Sequence, residues 1–271
     1  MAAVNETRQP VLTARDVAVG FDGTPVLNQV DLALRPQGLI AIVGASGVGK
    51  STLLRALAGL LTPLSGQVQR PGATRRDTRG WSMVFQAPRL LPWRRVRANV
   101  EFGLEGLGLS RRERALRAER YLDLVGLNEY ADRWPHSLSG GQQQRVGLAR
   151  AMAVEPDVLF MDEPFSALDA ITRRRLQQSL VALRRQTTAA IVFVTHDIEE
   201  AALLSDRIVV LGHAPDEPTA SVRATVDVPL ALSDRRSDPA FRPLVQEVEE
   251  MIRTAPQGLQ AADSSPSRAS G

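Results

Sequence analysis

Gly44 to Thr52 reads GASGVGKST. The spacing, G-x-x-x-x-G-K-S, is that of a loop that grips phosphate. Gly44, Gly47 and Gly49 let the backbone turn tightly, with Ala45, Ser46 and Val48 between them and the N–H groups pointing inward. Such a nest, backed by the N-terminus of a following helix, binds an anion. Lys50, the only lysine among 33 basic residues, is placed to reach the outer phosphates of a nucleotide. Ser51 offers a hydroxyl to Mg²⁺ and Thr52 a further phosphate contact. Later, VLFMDEP (Val158 to Pro164) sets Asp162 and Glu163 after four apolar residues. A buried strand ending in two carboxylates puts the first near a metal, and the second where it can orient and deprotonate water. Phosphoryl transfer to water is mostly positioning and charge stabilisation, so one base and one metal suffice. His196 ends another apolar run, AAIVFVTHD. Strand C-termini in an open α/β sheet face the ligand crevice, within reach of a terminal phosphate.

A further segment, LSGGQ from Leu138 to Gln142, lies between the loop and the acidic pair. Ser139 and the N–H groups of Gly140 and Gly141 open a helix and form a second anion site. Each segment alone has an ordinary structural reading: a glycine turn, a strand ending in exposed acids, a capped helix. Their order on one chain favours the chemistry. His136 and His213 lack such context, one preceding the LSGGQ segment and the other falling in an expected loop.

The elements that must hold these residues follow from apolar periodicity. Val11–Val19 and Val30–Leu34 read as strands, and Leu39–Val43 as a buried strand entering the glycine loop. Gly49–Leu60 reads as a helix through Leu53, Leu54, Leu57 and Leu60. Gly66–Gln69 and Trp81–Phe85 read as strands joined by an arginine-rich loop near Arg75 and Arg76. From Phe85 to Ser139 the character changes to arginine-rich helical patterns, notably Arg111–Val125, which predicts a helical insertion at about 87–153. Ser139 caps a helix running to about Ala153. Strands are expected at Asp157–Met161, Ala190–Thr195, Ile208–Leu211 and Val222–Val228, and helices at Ala170–Arg185, Ile198–Leu204 and Phe241–Ile252. The alternation predicts an α/β domain over 11–253 with a mostly parallel sheet covered on both faces. The Ser-, Ala-, Pro- and Gly-rich tail, 254–271, is expected to be disordered.

The composition, 44% hydrophobic and 23% charged over 271 residues, is that of a globular protein. Cysteine is absent, which excludes disulfides and thiolate metal sites. The net charge is only +3, so an arginine-biased solvated surface is favoured over a nucleic-acid face. The opening MAAVNETRQP has no basic leader with an apolar stretch. No apolar run approaches the ~18 residues a spanning helix requires, so a membrane role is expected to run through a partner.

These motifs resemble those of the ATP-binding cassette (ABC) family of transport ATPases, over about Val11 to Leu211. The specific mark is LSGGQ followed by QQRVGLARA; Gln86 after a strand, SALD at Ser166–Asp169 and His196 accompany it in order. Phe21 falls where the family has an aromatic residue, usually tyrosine, stacking on adenine. The resemblance implies a P-loop NTPase fold: a RecA-like core, an antiparallel β subdomain and a helical insertion subdomain. It implies ATP and Mg²⁺, with Glu163 as base, Lys50, Gln86 and His196 acting on the terminal phosphate, and Ser51, Gln86 and Asp162 around the metal. Phe21, Gly44–Thr52, Gln86, Ser139, Gly140, Gly141, Gln142, Asp162 and Asp169 are the nucleotide contacts it implies, shared across a head-to-tail homodimer.

A narrower likeness, in FQAPRLLPWRRVRANV (Phe85–Val100) and LDAITRRRLQ (Leu168–Gln177), is to ATPase subunits of bacterial importers for nitrate, aliphatic sulfonates and taurine. It implies a peripheral protein on the cytoplasmic face of the inner membrane. Its partners are two permease subunits and an extracytoplasmic solute-binding protein. A permease helix is expected in a groove after Gln86, against Leu90, Leu91, Pro92 and Trp93, with Arg89 and Arg94 at its rim. An importer for thiamine-precursor pyrimidines, an exporter ATPase, a cassette that binds ATP without cleaving it, and a soluble ABC ATPase acting on nucleic acid are the alternatives. No nucleic-acid partner is expected, because this chain has neither a second cassette nor a long coiled-coil insertion.

Overall fold

A computed structural model describes residues 9–254, apart from 74, 167, 216, 233 and 234. Strand β1 (Leu12–Phe21) forms a hairpin with β2 (Thr24–Leu34), and β4 (Ser65–Gln69) pairs antiparallel on the other side of β1. Strands β3 (Leu39–Gly44), β5 (Trp81–Val84), β6 (Val158–Asp162), β7 (Ala190–Val194) and β8 (Arg207–His213) pair in parallel, and β9 (Ala220–Asp227) returns antiparallel to β8. One nine-stranded sheet results, in the order β4-β1-β2-β9-β8-β3-β7-β6-β5. A single parallel pair, Leu27 with Ala220, joins the antiparallel arm to the rest.

The central strands are apolar throughout because both faces are covered. Side chains alternate across the sheet. Leu39, Ala41 and Val43 of β3 enter one core with Leu159, Met161, Ile191 and Phe193, while Ile40 and Ile42 enter the other with Phe160 and Val192. Helix α1 (Lys50–Ala58) packs Leu53, Leu54 and Leu57 on this second face. Full burial stabilises each leucine by about 1.5–3 kcal/mol. The first face carries the remaining helices. Between β5 and β6 run α2 (Val96–Gly103), α3 (Arg111–Leu124) and α4 (Gly140–Ala153), packed on one another. Helix α5 (Ala170–Gln186) follows β6, α6 (Ile198–Leu204) follows β7, and α7 (Phe241–Thr254) closes the described chain.

Element types agree with the sequence reading, with four differences. Strand β2 begins at Thr24, not near Val30, because Asp22 and Gly23 (φ 50° and 76°) make a tight hairpin turn that pairs Phe21 with Thr24. Helix α2 had no separate prediction; its apolar contacts, Val96 and Val100, sit one turn apart amid polar neighbours. His213 ends β8 instead of lying in a loop, paired with Ala220. Thr254 belongs to α7, and the rest of the expected tail lies outside the described residues.

Candidate functional site

Strand β3 delivers the glycine loop to the C-terminal edge of the parallel sheet, where β6 and β7 also end. At the start of α1, Gly49 has φ 98°, and a Cβ there would sit 2.9 Å from the Leu27 side chain. Both the left-handed backbone and the close approach require glycine. Gly44 and Val48 are buried, while Ala45, Ser46 and Gly47 are exposed. Lys50 turns back under the loop and donates to the carbonyls of Gly44 (3.0 Å) and Ala45 (2.8 Å). Burial lowers the pKa of its ammonium below the usual lysine value, and the carboxylates of Glu163 and Asp162 oppose that shift.

Ser51 and Asp162 are 111 residues apart, yet the Ser51 hydroxyl donates to Asp162 Oδ1 at 2.6 Å. Arg55, one helical turn further on, reaches Asp162 Oδ2 at 3.5 Å. A hydroxyl and a buried carboxylate thus meet beside the phosphate loop. The next residue, Glu163, leaves β6 with φ 43°, a conformation uncommon for a side chain of this size. Its N–H stays in the sheet, bonded to Val194 O at 3.1 Å. The left-handed turn swings its carboxylate toward β7, where Glu163 Oε2 lies 3.3 Å from His196 Nδ1. Backbone strain of this kind concentrates at functional sites.

Gln86 does not bond to the Ser51–Asp162 pair. It is exposed, and its Nε2 reaches Ser166 Oγ at 3.3 Å, which in turn donates to Glu163 O at 3.1 Å. Phe21 is 55% exposed at the end of β1. Its open face suits stacking on a flat ring. Thr52 is half-buried in the first turn of α1.

The remaining predicted residues form a separate group. Ser139 caps α4 through a reciprocal box: its Oγ accepts from Gln142 N (3.3 Å), and Gln142 Oε1 accepts from Ser139 N (2.9 Å). Ser139 and Gly140 are exposed and Gly141 is buried. Asp169 caps α5, accepting from the N–H groups of Ile171 and Thr172 at 3.0 Å. Among the described residues, no hydrogen bond or ion pair links the Ser139–Gln142 turn to the phosphate loop of its own chain. In the SALD segment, Ala167 lies outside the described residues.

A family model described as ABC transporter matches residues 27–166. SsuB 1 of Agrobacterium fabrum, an aliphatic sulfonates import ATP-binding protein, is 46% identical over 86% of this chain and 80% of its own length. This chain belongs to the ABC transporter family. The taurine import ATP-binding protein TauB of Pseudomonas putida is 41% identical over 88% of this chain and 92% of its own. Among solved structures, cbiO1 from Clostridium perfringens, part of the ABC transporter complex cbiONQ, matches with a TM-score of 0.71 and 25% identity, covering 90% of this chain and 99% of that one. A dimeric ATP-binding cassette in a post-hydrolysis state with ADP and Pi matches at 0.67 and 30% identity, over 81% and 100%.

As an ABC ATPase subunit this protein hydrolyses ATP. Several residues around the site of this ABC ATPase escaped the sequence reading. Arg173 bonds Leu168 O at 3.2 Å and approaches Asp197 Oδ2 at 3.5 Å. Glu200 is buried, its carboxylate pKa raised by burial, and accepts from the Thr195 hydroxyl at 2.7 Å. The spacing Asp197-x-x-Glu200 was a visible signal, since it is the pattern of a helix-capping box. The tertiary structure uses only half of it: Asp197 Oδ1 accepts from Glu200 N at 3.1 Å, while the Glu200 side chain turns inward to Thr195 and Gln177.

Proposed function

We propose that this ABC ATPase powers uptake of an aliphatic sulfonate or taurine. It acts as a head-to-tail homodimer beneath two permease subunits, peripheral on the cytoplasmic face of the inner membrane, with an extracytoplasmic protein delivering the solute. The names of the relatives support the solute class. No helix among the described residues is long and apolar enough to cross a membrane, in keeping with a peripheral subunit. The dimer is supported by the dimeric neighbour and by the two half-sites of the chain, which make no hydrogen bond to each other.

The observation that carries the reading is the pairing of Ser51 with Asp162 at 2.6 Å and of Glu163 with His196 at 3.3 Å, on neighbouring sheet ends. The donor set fits Mg²⁺: a hydroxyl and one carboxylate oxygen, hard ligands suited to a cation shared with substrate phosphates. Among the described residues no group of three or more His, Cys, Asp or Glu forms a cage for a tighter-held metal. Ser51 and Asp162 would hold the ion, and its charge would neutralise phosphate oxygens. Lys50 supplies its ammonium to the outer phosphates of ATP. Glu163 orients water and takes its proton as the oxygen bonds to the terminal phosphorus and ADP leaves. His196 holds the Glu163 carboxylate and the terminal phosphate in line, and Gln86 acts on the terminal phosphate while Ser166 ties its amide to the Glu163 turn. Ser139, Gly140 and Gly141 of the partner copy close the site.

For the permease, the supporting feature is a groove of about 750 Å³ along the free edge of β5, lined by Trp81, Met83, Phe85, Leu107 and Arg150. It is distinct from the expected groove after Gln86, since Leu90, Leu91, Pro92 and Trp93 are not among its lining residues. Leu90 packs against the core, Trp93 is 71% exposed, and Arg94 is drawn to Glu105 (2.7 Å) and the Phe102 ring.

Glu163→Gln tests the reaction. Removal of a general base lowers turnover by about 10²–10⁴-fold, with ATP affinity retained and the nucleotide-bound dimer trapped. Hydrolysis at the wild-type rate overturns the role of Glu163. Uptake of taurine or ethanesulfonate into vesicles holding the cognate permease tests the solute class.

A further inference from the structure

Arg173 sits in the first turn of α5 and touches two loops at once. Its Nη2 donates to Leu168 O, in the turn that follows Glu163, at 3.2 Å. Its Nη1 lies 3.5 Å from Asp197 Oδ2, in the residue after His196. Its Nε is 3.7 Å from Glu200 Oε1, just beyond a hydrogen bond, and among the described residues this buried N–H has no hydrogen-bond partner. Glu200 takes hold of the same loop from the other side. It accepts from Thr195 Oγ1 at 2.7 Å, and that oxygen accepts from Asp197 N at 3.0 Å. Gln177 Nε2, one turn along α5 from Arg173, adds a bond to Glu200 Oε1 at 3.3 Å. The backbone on both sides of His196 is therefore held by Glu200, while the turn after Glu163 is held by Arg173.

We propose that Arg173 and Glu200 form a brace that sets the spacing between Glu163 and His196, and that both are positioning residues for hydrolysis. The proposal rests on the roles given above to Glu163 and His196. The two tips touch at 3.3 Å, but neither is fixed by its own strand alone: Glu163 has already left β6 in a left-handed turn, and His196 is exposed beyond the end of β7. A planar guanidinium holds its N–H groups in fixed directions, here bonding Leu168 O and facing the Asp197 and Glu200 carboxylates as ion pairs, which a lysine ammonium on a flexible stem does not.

The test is a double-mutant cycle between Arg173→Gln and His196→Ala, read as kcat and KM for ATP hydrolysis by the full chain. Misplacement of reacting groups by about 1 Å costs up to about 100-fold, so Arg173→Gln is expected to lower kcat about 10- to 100-fold with KM for ATP changed less than about 2-fold. In the His196→Ala background the same substitution is expected to add almost nothing, because its effect passes through His196. Arg173→Lys is expected to recover only part of the rate. A kcat unchanged by Arg173→Gln, or a loss of equal factor in both backgrounds, overturns the brace. So does a loss that follows only the folded fraction seen by circular dichroism. If Arg173→Gln does not fold, Glu200→Gln carries the same cycle, since it keeps an oxygen for the Thr195 hydroxyl and removes the charge facing Arg173. His196→Ala alone at the wild-type rate refutes the site reading; His196→Ala impaired with Arg173→Gln unaffected refutes only the brace.

Discussion

Gly141→Ala separates the two glycines of the LSGGQ turn by their surroundings. A Cβ on Gly141 would lie 1.8 Å from Thr172 Cγ2 and 3.1 Å from Thr172 Cβ, whereas a Cβ on Gly140 meets nothing within 4 Å. Ordinary contact begins near 3.4 Å, so α4 and the start of α5 must yield by about 1.6 Å or Thr172 must rotate. Rotation is opposed by the Thr172 hydroxyl, which donates to Asp169 Oδ2 at 2.6 Å. Overpacking costs about 1–3 kcal/mol, and losing a hydrogen bond to a charged group costs about 1.5–3 kcal/mol. The cheaper escape still costs roughly 2 kcal/mol, a fall in Tm of roughly 4–8 °C for a domain of this size. Thermal unfolding followed by circular dichroism measures it. Gly140→Ala is the control and is expected to be neutral, or stabilising by up to about 1 kcal/mol through helix propensity. Thr172→Ser removes Cγ2 and keeps the hydroxyl, so adding it to Gly141→Ala is expected to restore most of the loss. If Gly141→Ala is no less stable than Gly140→Ala, or if Thr172→Ser gives no rescue, the packing argument fails.

Two further outcomes follow from groups away from the reacting atoms. Asn99 is fully buried; its Oδ1 accepts from Leu91 N at 2.7 Å and its Nδ2 donates to the carbonyls of Leu91, Arg94 and Arg95. It thereby holds the loop that displays Trp93. Asn99→Leu strands these groups at a cost of about 1–3 kcal/mol; it is expected to weaken co-purification with the permease more than ATPase activity of the isolated subunit. Asp77 is held down to about 2 by side-chain hydrogen bonds from Arg75 and then Arg117. A carboxyl with a lowered folded-state pKa contributes stability above its unfolded value and loses it as pH falls through the folded one. The stability gap between wild type and Asp77→Asn, measured by urea unfolding at pH 6, 4 and 3, is therefore expected to be widest at pH 6 and to narrow toward pH 2.

Much of the candidate site's local structure was legible before any fold was known. The phosphate loop, the acidic pair after an apolar run and the Ser139 cap are local patterns, each confined to a few residues and ruled by φ/ψ limits, hydrogen-bonding capacity and side-chain period. The strands entering the crevice were legible for the same reason, since a strand buried on both faces is apolar throughout. Two local features were missed because they depend on distant partners. Leu90 turns into the core and Trp93 outward, although both lie in one apolar run. Glu200 carries half of a capping-box pattern but spends its side chain on Thr195 and Gln177.

By itself the sequence determined which candidate groups the chain carries (the glycine loop with Lys50 and Ser51, the Asp162–Glu163 pair, His196) and the secondary structure that carries each. Only the tertiary structure decided their company. The order β3-β7-β6 brings Ser51 to Asp162 across 111 residues and puts Glu163 beside His196. It also leaves the Ser139 turn bonded to neither pair and sets Arg173 between two loops. Strand order and the direction of a chain as it leaves the sheet are set by long-range packing, whose contacts no short window of residues contains.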